Sequence, residues 1–280
     1  MSVHVDHTNE QRAARAFTAQ SPVFDAMYGS DPVIRYKRER VRAHVMTHVA
    51  PGSRILELNC GTGEDAIFFA RHGYRVHATD ISDGMLQQLQ QKIDGNGVTG
   101  LTKEQCSFLQ LQQLRDKGPY DAVFSNFGGL NCTGDLHAVV RSVDTLLKPG
   151  GTITLILISN FCLWELLLLF RGKFRTATRR FFASGGRSAQ VEGRPFKCWY
   201  YSAKQVRRML PGYDVLSTEG LCTLVPPSYI QGFAAKYPGL FSFLARAEKR
   251  LAGTWPWRYF GDYVMITSRK IEAPAAAPDL

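Results

Sequence analysis

The chain has 280 residues, 45% of them hydrophobic, which is the composition of a globular protein with a buried core rather than of a disordered one. Its formal net charge of +10 is matched by one segment, residues 171–208, which holds eleven lysines and arginines against a single acid, Glu192. The six cysteines stand singly, so a disulfide framework and a structural zinc are both disfavoured and no metal site is predicted. The first residues lack the apolar run of a signal peptide, and a cytoplasmic protein is therefore expected.

The first fifty residues are predicted to form a helical cap. Residues 11–28 have the pattern of a helix and a turn leading to Pro22, and residues 33–49 have that of a second helix. The second helix places apolar side chains on one face and several arginines on the other, which is typical of a helix that packs against a core.

A strand, a glycine-rich turn and a helix follow in that order. The apolar residues 54–56 predict the strand, the run Glu57-Leu-Asn-Cys-Gly-Thr-Gly63 predicts the turn, and residues 65–72 predict the helix. Small residues at such a turn allow backbone N–H groups to approach a ligand closely. A second strand, residues 75–79, ends in Asp80, at about the position of the ribose-binding acid in nucleotide folds.

Strands and helices continue to alternate along the rest of the chain. This alternation predicts an α/β fold, a doubly wound and mostly parallel seven-stranded sheet with helices on both faces. The remaining predicted strands are residues 106–109, 119–126, 152–158, 213–224 and 262–268. The remaining predicted helices begin after Ser82 and after Ser202 and cover residues 134–147 and 229–251.

These motifs resemble those of the class I S-adenosylmethionine-dependent methyltransferases, in their small-molecule and lipid-type branch. Residues 57–63 resemble the first motif, Asp80-Ile-Ser82 the acidic second one, residues 119–126 the fourth strand and residues 146–151 the turn into the fifth. One departure is Asn59, which stands where the family has the first glycine of its motif. The resemblance covers roughly residues 50–160, and it implies S-adenosyl-L-methionine as the cofactor.

The resemblance also implies a domain organisation. It predicts an N-terminal helical cap (1–50), a Rossmann-like cofactor-binding core (51–158 and 213–270), an inserted lid between the fifth and sixth strands (159–212) and a disordered tail (271–280).

Roles for individual residues follow from the same resemblance. Glu57 is expected to hold the methionine amino group, directly or through water, and Asp80 to accept hydrogen bonds from both ribose hydroxyls. Gln110 is expected to accept a hydrogen bond from the adenine amino group. The full set of predicted cofactor-binding residues is Glu57, Asn59, Cys60, Gly61, Gly63, Asp80, Ile81, Met85, Gln110, Leu111, Asn126 and Phe127.

Asn126 and Phe127 fall where the methyl donor would meet its acceptor. Neither is followed by the paired prolines that would indicate methylation of nucleic-acid bases. Methyl transfer to an activated sulfonium depends mainly on positioning, and a general base is needed only if the acceptor must lose a proton. His137, Tyr28 and Tyr200 are the candidate catalytic residues, with a helix-surface histidine and two packing tyrosines as the alternative interpretation.

Residues 152–170 are almost entirely apolar and reach the length of a membrane span. The favoured interpretation is a central strand followed by a helix. Residues 161–182 then combine leucines and aromatics with clustered arginines, which predicts either peripheral contact with a membrane or a buried lid helix with a solvated basic end.

Three functions are compatible with the sequence. The first is a methyltransferase acting on a small, hydrophobic acceptor such as a lipid, a quinone or a polyketide-like metabolite. The second is an RNA- or protein-directed methyltransferase that uses the basic patch 171–208. The third is a non-catalytic regulator that binds the cofactor. The oligomeric state is left open.

Overall fold

The computed structural model describes residues 7–181 and 183–272. The strands are β1 (Arg54–Leu58), β2 (Arg75–Asp80), β3 (Leu101–Gln105), β4 (Tyr120–Ser125), β5 (Leu147–Ile158), β6 (Arg187–Val191), β7 (Arg194–Cys198), β8 (Tyr213–Leu221) and β9 (Tyr263–Lys270). The α-helices are α1 (His7–Tyr28), α2 (Pro32–His48), α3 (Glu64–Arg71), α4 (Asp83–Asn96), α5 (Leu136–Leu146), α6 (Leu163–Leu167), α7 (Phe174–Thr178), α8 (Ala203–Arg208), α9 (Phe233–Lys236) and α10 (Pro238–Leu251).

Seven strands form one sheet in the order β3-β2-β1-β4-β5-β9-β8. The first five are parallel, and β9 runs antiparallel to both of its neighbours, β5 and β8. The predicted α/β, mostly parallel seven-stranded sheet is therefore confirmed. Central strands such as β1 and β4 are buried almost throughout, because helices cover both faces of a parallel sheet and no strand face meets water.

Three of the helices around this sheet begin at side chains that cap them. Asp31 accepts from the first backbone N–H groups of α2, and Ser82 accepts from Met85 N at the start of α4. Ser202 and Gln205 form the predicted capping box of α8.

Two of the predicted elements lie elsewhere. The third strand is Leu101–Gln105 and not residues 106–109, which follow it and cross the carboxyl edge of the sheet. The reason is that β3 is an edge strand carrying Thr102, Lys103 and Glu104, so it lacks the apolar run that marks a central strand. At the N-terminus, α1 is a single helix that contains Pro22 where a turn was predicted.

The segment between β5 and β8 contains an antiparallel hairpin, β6–β7, that the sequence analysis did not predict. The hairpin packs against α1, where the rings of Phe17 and Phe196 lie 5.9 Å apart and Asn9 bonds the backbone of Lys197 in both directions. The following helix, α8, instead packs into the main core through Ala203 and Val206.

Three further predictions concern single features of the chain. All six cysteines are free and buried. Within residues 7–181 and 183–272, no helix has the length and hydropathy needed to cross a bilayer, and residues 152–158 form part of β5. Most of the predicted tail, residues 273–280, lies outside the described residues, as does Phe182 of the predicted membrane-contact segment.

Candidate functional site

A cavity of about 130 Å³ opens at the carboxyl edge of the parallel strands. The ends of β1, β2 and β4 form its floor, and α1 covers it. Such an edge is where open α/β sheets bind ligands. The lining residues are Glu10, Ala13, Ala14, Phe17, Phe24, Asn59, Gly61, Asp80, Ile81, Ser82, Met85, Phe108, Asn126, Phe127, Gly129 and Cys132.

The glycine-rich loop after β1 bends through three residues in the left-handed region, with φ of 48° at Asn59, 57° at Gly61 and 77° at Gly63. The two glycines serve different purposes. A Cβ added to Gly61 would have no atom within 4 Å, and this residue lines the cavity. A Cβ added to Gly63 would lie 2.2 Å from Leu89 Cδ1, so Gly63 permits packing between α3 and α4 and does not line the cavity.

Asn59, the departure from the family motif, fixes the loop to the end of β4. Ser125 Oγ donates to Asn59 Oδ1 at 2.7 Å, and Asn59 Nδ2 donates to the backbone carbonyl of Asn126 at 3.1 Å. A Cβ on Gly129 would lie 2.4 Å from this amide, so that glycine leaves room for it. Asn59 thus adopts the left-handed backbone conformation usual for glycine, and its side chain makes two hydrogen bonds to the end of β4.

Asp80 lies at the end of β2 with its carboxylate in the cavity wall. Gly61 N donates to Oδ2 and Ser82 N donates to Oδ1, each at 2.8 Å. Burial raises the pKa of Asp80, and the backbone hydrogen bonds oppose that shift. A carboxylate has about four acceptor positions, so two remain for a ligand after these bonds.

Glu57 is 2% exposed, and its Oε2 has no hydrogen-bond partner among the described residues. Burial and then the nearby carboxylate of Asp65 raise the pKa of Glu57 well above its usual range. Asp65 itself accepts from Arg38, Arg42 and Asn126, so the adjacent cations are already paired. Glu57 is thus a buried acid whose free oxygen needs a donor, although it does not line the cavity.

Glu10 is an acid that the sequence analysis missed. It projects from α1 into the cavity wall, is 2% exposed, and accepts a hydrogen bond from Ser107 Oγ through Oε2. Its Oε1 is buried without a partner among the described residues, and burial is the main cause that raises its pKa to about 7. The sequence did contain a signal for this acid. Positions 10, 13, 14, 17 and 24 recur at helical spacing and all but Glu10 are apolar, so the sequence places an acid on the apolar face of the helix.

The predicted cofactor-binding residues divide into two groups. Those that line the cavity are Asn59, Gly61, Asp80, Ile81, Met85, Asn126 and Phe127. Those that do not are Glu57, Cys60, Gly63, Gln110 and Leu111. Gln110 precedes a short 3-10 helix and Leu111 is a core residue, because the shift of β3 moves both beyond the carboxyl edge. Phe108 lines the cavity in their place.

The three candidate catalytic residues are not brought together. His137 is exposed on α5, away from the cavity lining. Tyr28 packs against Phe24 at the end of α1, with ring centroids 4.8 Å apart and the ring planes tilted by 59°, and it faces a separate surface groove. Tyr200 packs beneath the guanidinium of Arg180, 5.4 Å from its ring centroid.

Comparison with known proteins assigns the central part of the chain. Residues 55–151 match the family model described as a methyltransferase domain. This part of the chain is therefore similar to methyltransferase domains, as the motifs predicted. These residues include the glycine-rich loop, Asp80 and the end of β4.

The relatives in this family match the chain only in part. An uncharacterised methyltransferase of Synechocystis is 29% identical over 135 residues, which cover 46% of this chain and 60% of that protein. A demethylmenaquinone methyltransferase of Lactococcus lactis is 29% identical over 157 residues, 53% of this chain and 59% of that protein. The chain thus spans about three fifths of the length of these relatives.

The whole fold also has solved counterparts. The 1,6-didemethyltoxoflavin-N1-methyltransferase of Burkholderia thailandensis superposes with a TM-score of 0.59 at 14% identity, covering 97% of this chain and 93% of that one. At this identity the likeness is one of fold.

Proposed function

We propose that the protein is an S-adenosylmethionine-dependent methyltransferase that acts on a small, hydrophobic acceptor. The observation that carries the proposal is Asp80. Its half-buried carboxylate is fixed by Gly61 N and Ser82 N, has acceptor positions to spare, and lies in the wall of the cavity at the sheet edge.

The residues present fit this cofactor. Asp80 is suited to the ribose hydroxyls, Ile81 and Met85 supply an apolar surface for adenine, and the open side of Gly61 leaves space for the ligand. Glu10 and Glu57 each have a buried carboxyl oxygen without a partner among the described residues, and a nucleoside with an amino-acid chain offers N–H donors for both. When bound, the cofactor supplies a methyl group on a positively charged sulfur.

Glu10 takes the adenine-binding role that the sequence analysis gave to Gln110. Glu10 lines the cavity together with Ile81, Met85 and Phe108, whereas Gln110 does not. The free Oε1 of Glu10 is an acceptor, which is what the adenine amino group requires.

The acceptor class follows from the rest of the lining. The cavity is also lined by Phe127 and by four apolar residues of α1, so the acceptor would meet mostly apolar side chains; the four are Ala13, Ala14, Phe17 and Phe24. Catalysis would depend on the positioning of the acceptor and not on a general base, because His137 is exposed on α5 and does not line the cavity. The demethylmenaquinone methyltransferase relative acts, by its name, on a hydrophobic acceptor of this kind.

We also propose peripheral membrane contact through residues 161–182. Phe170 is 89% exposed, Phe174 65% and Phe181 49%, and the basic residues Lys173 and Arg175 beside them are exposed. Exposed aromatics beside cations are typical of interfacial elements. Replacing Lys173 and Arg175 with Gln should weaken binding to vesicles containing anionic lipid, with wild-type protein at high salt as the reference.

Some basic residues of this segment pair with acids of the chain and are not available to contact a membrane. Arg180 is 4% exposed and bonds Glu165 and Asp262, and Arg179 also pairs with Glu165. The charge available to a membrane or to RNA is therefore smaller than the composition of residues 171–208 suggests.

The test has two parts. Calorimetric titration should show that the wild-type protein binds S-adenosylhomocysteine and that Asp80→Asn loses about 2 kcal/mol of binding free energy. Extracts incubated with protein and methyl-labelled cofactor should carry the label in the organic-soluble fraction. Label in RNA or protein would support the alternative of a macromolecular acceptor. Binding without transfer to any fraction would support the non-catalytic regulator.

A further inference from the structure

Lys37 on α2 is a buried cation without a counterion. Its side chain is 2% exposed, and its ammonium makes no hydrogen bond or ion pair with any residue in the described part of the chain. Its contacts are with two aromatic faces. Nζ lies 4.7 Å from the ring centroid of Tyr263 and 5.2 Å from that of Phe127.

The three partly buried arginines of α2 differ from Lys37 in this respect. Arg38 and Arg42 pair with Asp65, and Arg40 pairs with Glu219. Burying an ammonium without a partner is costly, and cation–π contacts offset only part of that cost. A buried charge of this kind is expected to have a partner that binds from outside the chain.

The acids near Lys37 are already occupied. Glu248 accepts from Tyr36 Oη and from three backbone N–H groups, one of them that of Cys222. Asp262, next to Tyr263, is bonded to the guanidinium of Arg180. Neither of these two carboxylates is therefore free to turn toward the ammonium.

Lys37 does not itself line the cavity, but one of the two rings that it contacts does. Phe127 follows β4 with φ of 50° and lines the cavity, and Tyr263 begins β9. Arg38 lies over the same Phe127 ring, 4.8 Å from its centroid. Two cations thus meet at the residue beside which methyl transfer is proposed to occur.

We propose that the Lys37 ammonium binds a ligand oxyanion, either a carboxylate or an ionised hydroxyl oxygen, at the methyl-accepting end of the site. The inference rests on the proposed function. An ammonium at this position would stabilise an acceptor hydroxyl in its ionised and more nucleophilic form, and the proton would leave to solvent before the methyl group is transferred. The other source of the same chemistry is the carboxylate of the cofactor's methionine.

The experiment compares Lys37→Met and Lys37→Arg with the control Arg35→Met, which removes an exposed cation from the same helix. The first probe is 4-nitrophenol, titrated by its absorbance in the presence of saturating S-adenosylhomocysteine. Wild-type protein and the Arg35→Met variant should shift the nitrophenol midpoint to lower pH and bind its anion about tenfold more tightly than Lys37→Met does. Lys37→Arg should keep the shift.

The second probe separates the two sources of the oxyanion. If the cofactor carboxylate is the partner, Lys37→Met should weaken S-adenosylhomocysteine and leave 5′-methylthioadenosine, which lacks the carboxylate, unchanged. The inference is overturned if Lys37→Met alters neither nitrophenolate nor S-adenosylhomocysteine binding. Failure of the wild-type protein to bind S-adenosylhomocysteine would instead refute the proposed function. The two failures can be told apart, because the wild-type titration does not depend on any substitution of Lys37.

Discussion

Replacing Glu10 with glutamine tests whether α1 contributes an acid to the cofactor site. The exchange preserves the shape of the side chain and removes its ionisation. In the wild-type protein Oε2 accepts from Ser107 Oγ, and Oε1 lies in the cavity wall without a partner in the described residues. If the amide oxygen keeps the bond from Ser107, the group facing the cavity becomes an N–H donor.

The effect on stability can be worked out from the pKa. Burial raises the pKa of Glu10 from 4.5 to about 7. As pH rises through this window, the unfolded chain ionises Glu10 while the folded chain keeps it protonated, so the free energy of unfolding falls. At about 1.4 kcal/mol per pH unit, the loss is complete above pH 7 and amounts to about 3 kcal/mol. The Glu10→Gln variant lacks this loss and should be more stable than wild type at pH 8, and similar to it at pH 4.

Urea unfolding from pH 4 to pH 8 measures this difference, with Glu39→Gln, an exposed acid on α2, as the control. The binding assay is calorimetry with S-adenosylhomocysteine. A hydrogen bond from the adenine amino group favours ionised Glu10, so wild-type affinity should rise with pH through 7 and binding should release a proton. In Glu10→Gln the affinity should be about tenfold lower at pH 8 and flat with pH. A variant that keeps the wild-type pH profile in both assays would refute the assignment.

Three further substitutions test how the site is supported. Asn59→Gly should lower S-adenosylhomocysteine affinity about tenfold, because it deletes the hydrogen bonds with Ser125 and Asn126; unchanged affinity would show that the loop holds its shape without them. Gly63→Ala should lower the free energy of unfolding by about 2 kcal/mol, since the new Cβ meets Leu89 in a left-handed backbone; a neutral result by urea unfolding would contradict this packing role. Arg180→Met should cost about 3–5 kcal/mol of unfolding free energy because it leaves the buried Asp262 without its cation and removes one of the two arginines paired with Glu165, and Arg175→Met, an exposed neighbour, should cost little.

The parts of the fold that the sequence predicted are those with strong local signals. Strands β1, β2, β4 and β5 are apolar and central, and the turns between strand and helix carry glycines or capping side chains. Asp80 was located because it follows a predicted strand at a fixed distance from the glycine-rich loop. Such signals need only a few neighbouring residues and no knowledge of tertiary contacts.

The missed parts depend on tertiary contacts. β3 is polar because it lies at the sheet edge, so the strand was predicted too late in the chain, and Gln110, the predicted adenine contact, does not line the cavity. The β6–β7 hairpin has a mostly exposed, polar pattern, and its packing partner α1 lies about 180 residues earlier in the chain. The net charge of residues 171–208 likewise suggested a solvated patch, whereas Arg180 is a buried structural cation.

The part of the chain that matches known methyltransferases and the part that does not are proposed to have different functions. The matched methyltransferase domain, residues 55–151, contains the groups proposed to hold the ribose and the methionine chain. Apart from Phe127, the groups proposed to meet the acceptor come from α1 and α2, which lie outside that match; they include Phe17, Phe24 and Lys37. In our proposal the cofactor carries an already activated methyl group and the matched core only holds that cofactor, so the choice of acceptor depends on the helices that close over it. Replacing α1 and α2 with the corresponding helices of a related methyltransferase should therefore change which acceptor is methylated and leave cofactor affinity largely intact. The exception is Glu10, which lies on α1 and is proposed to bind the cofactor's adenine.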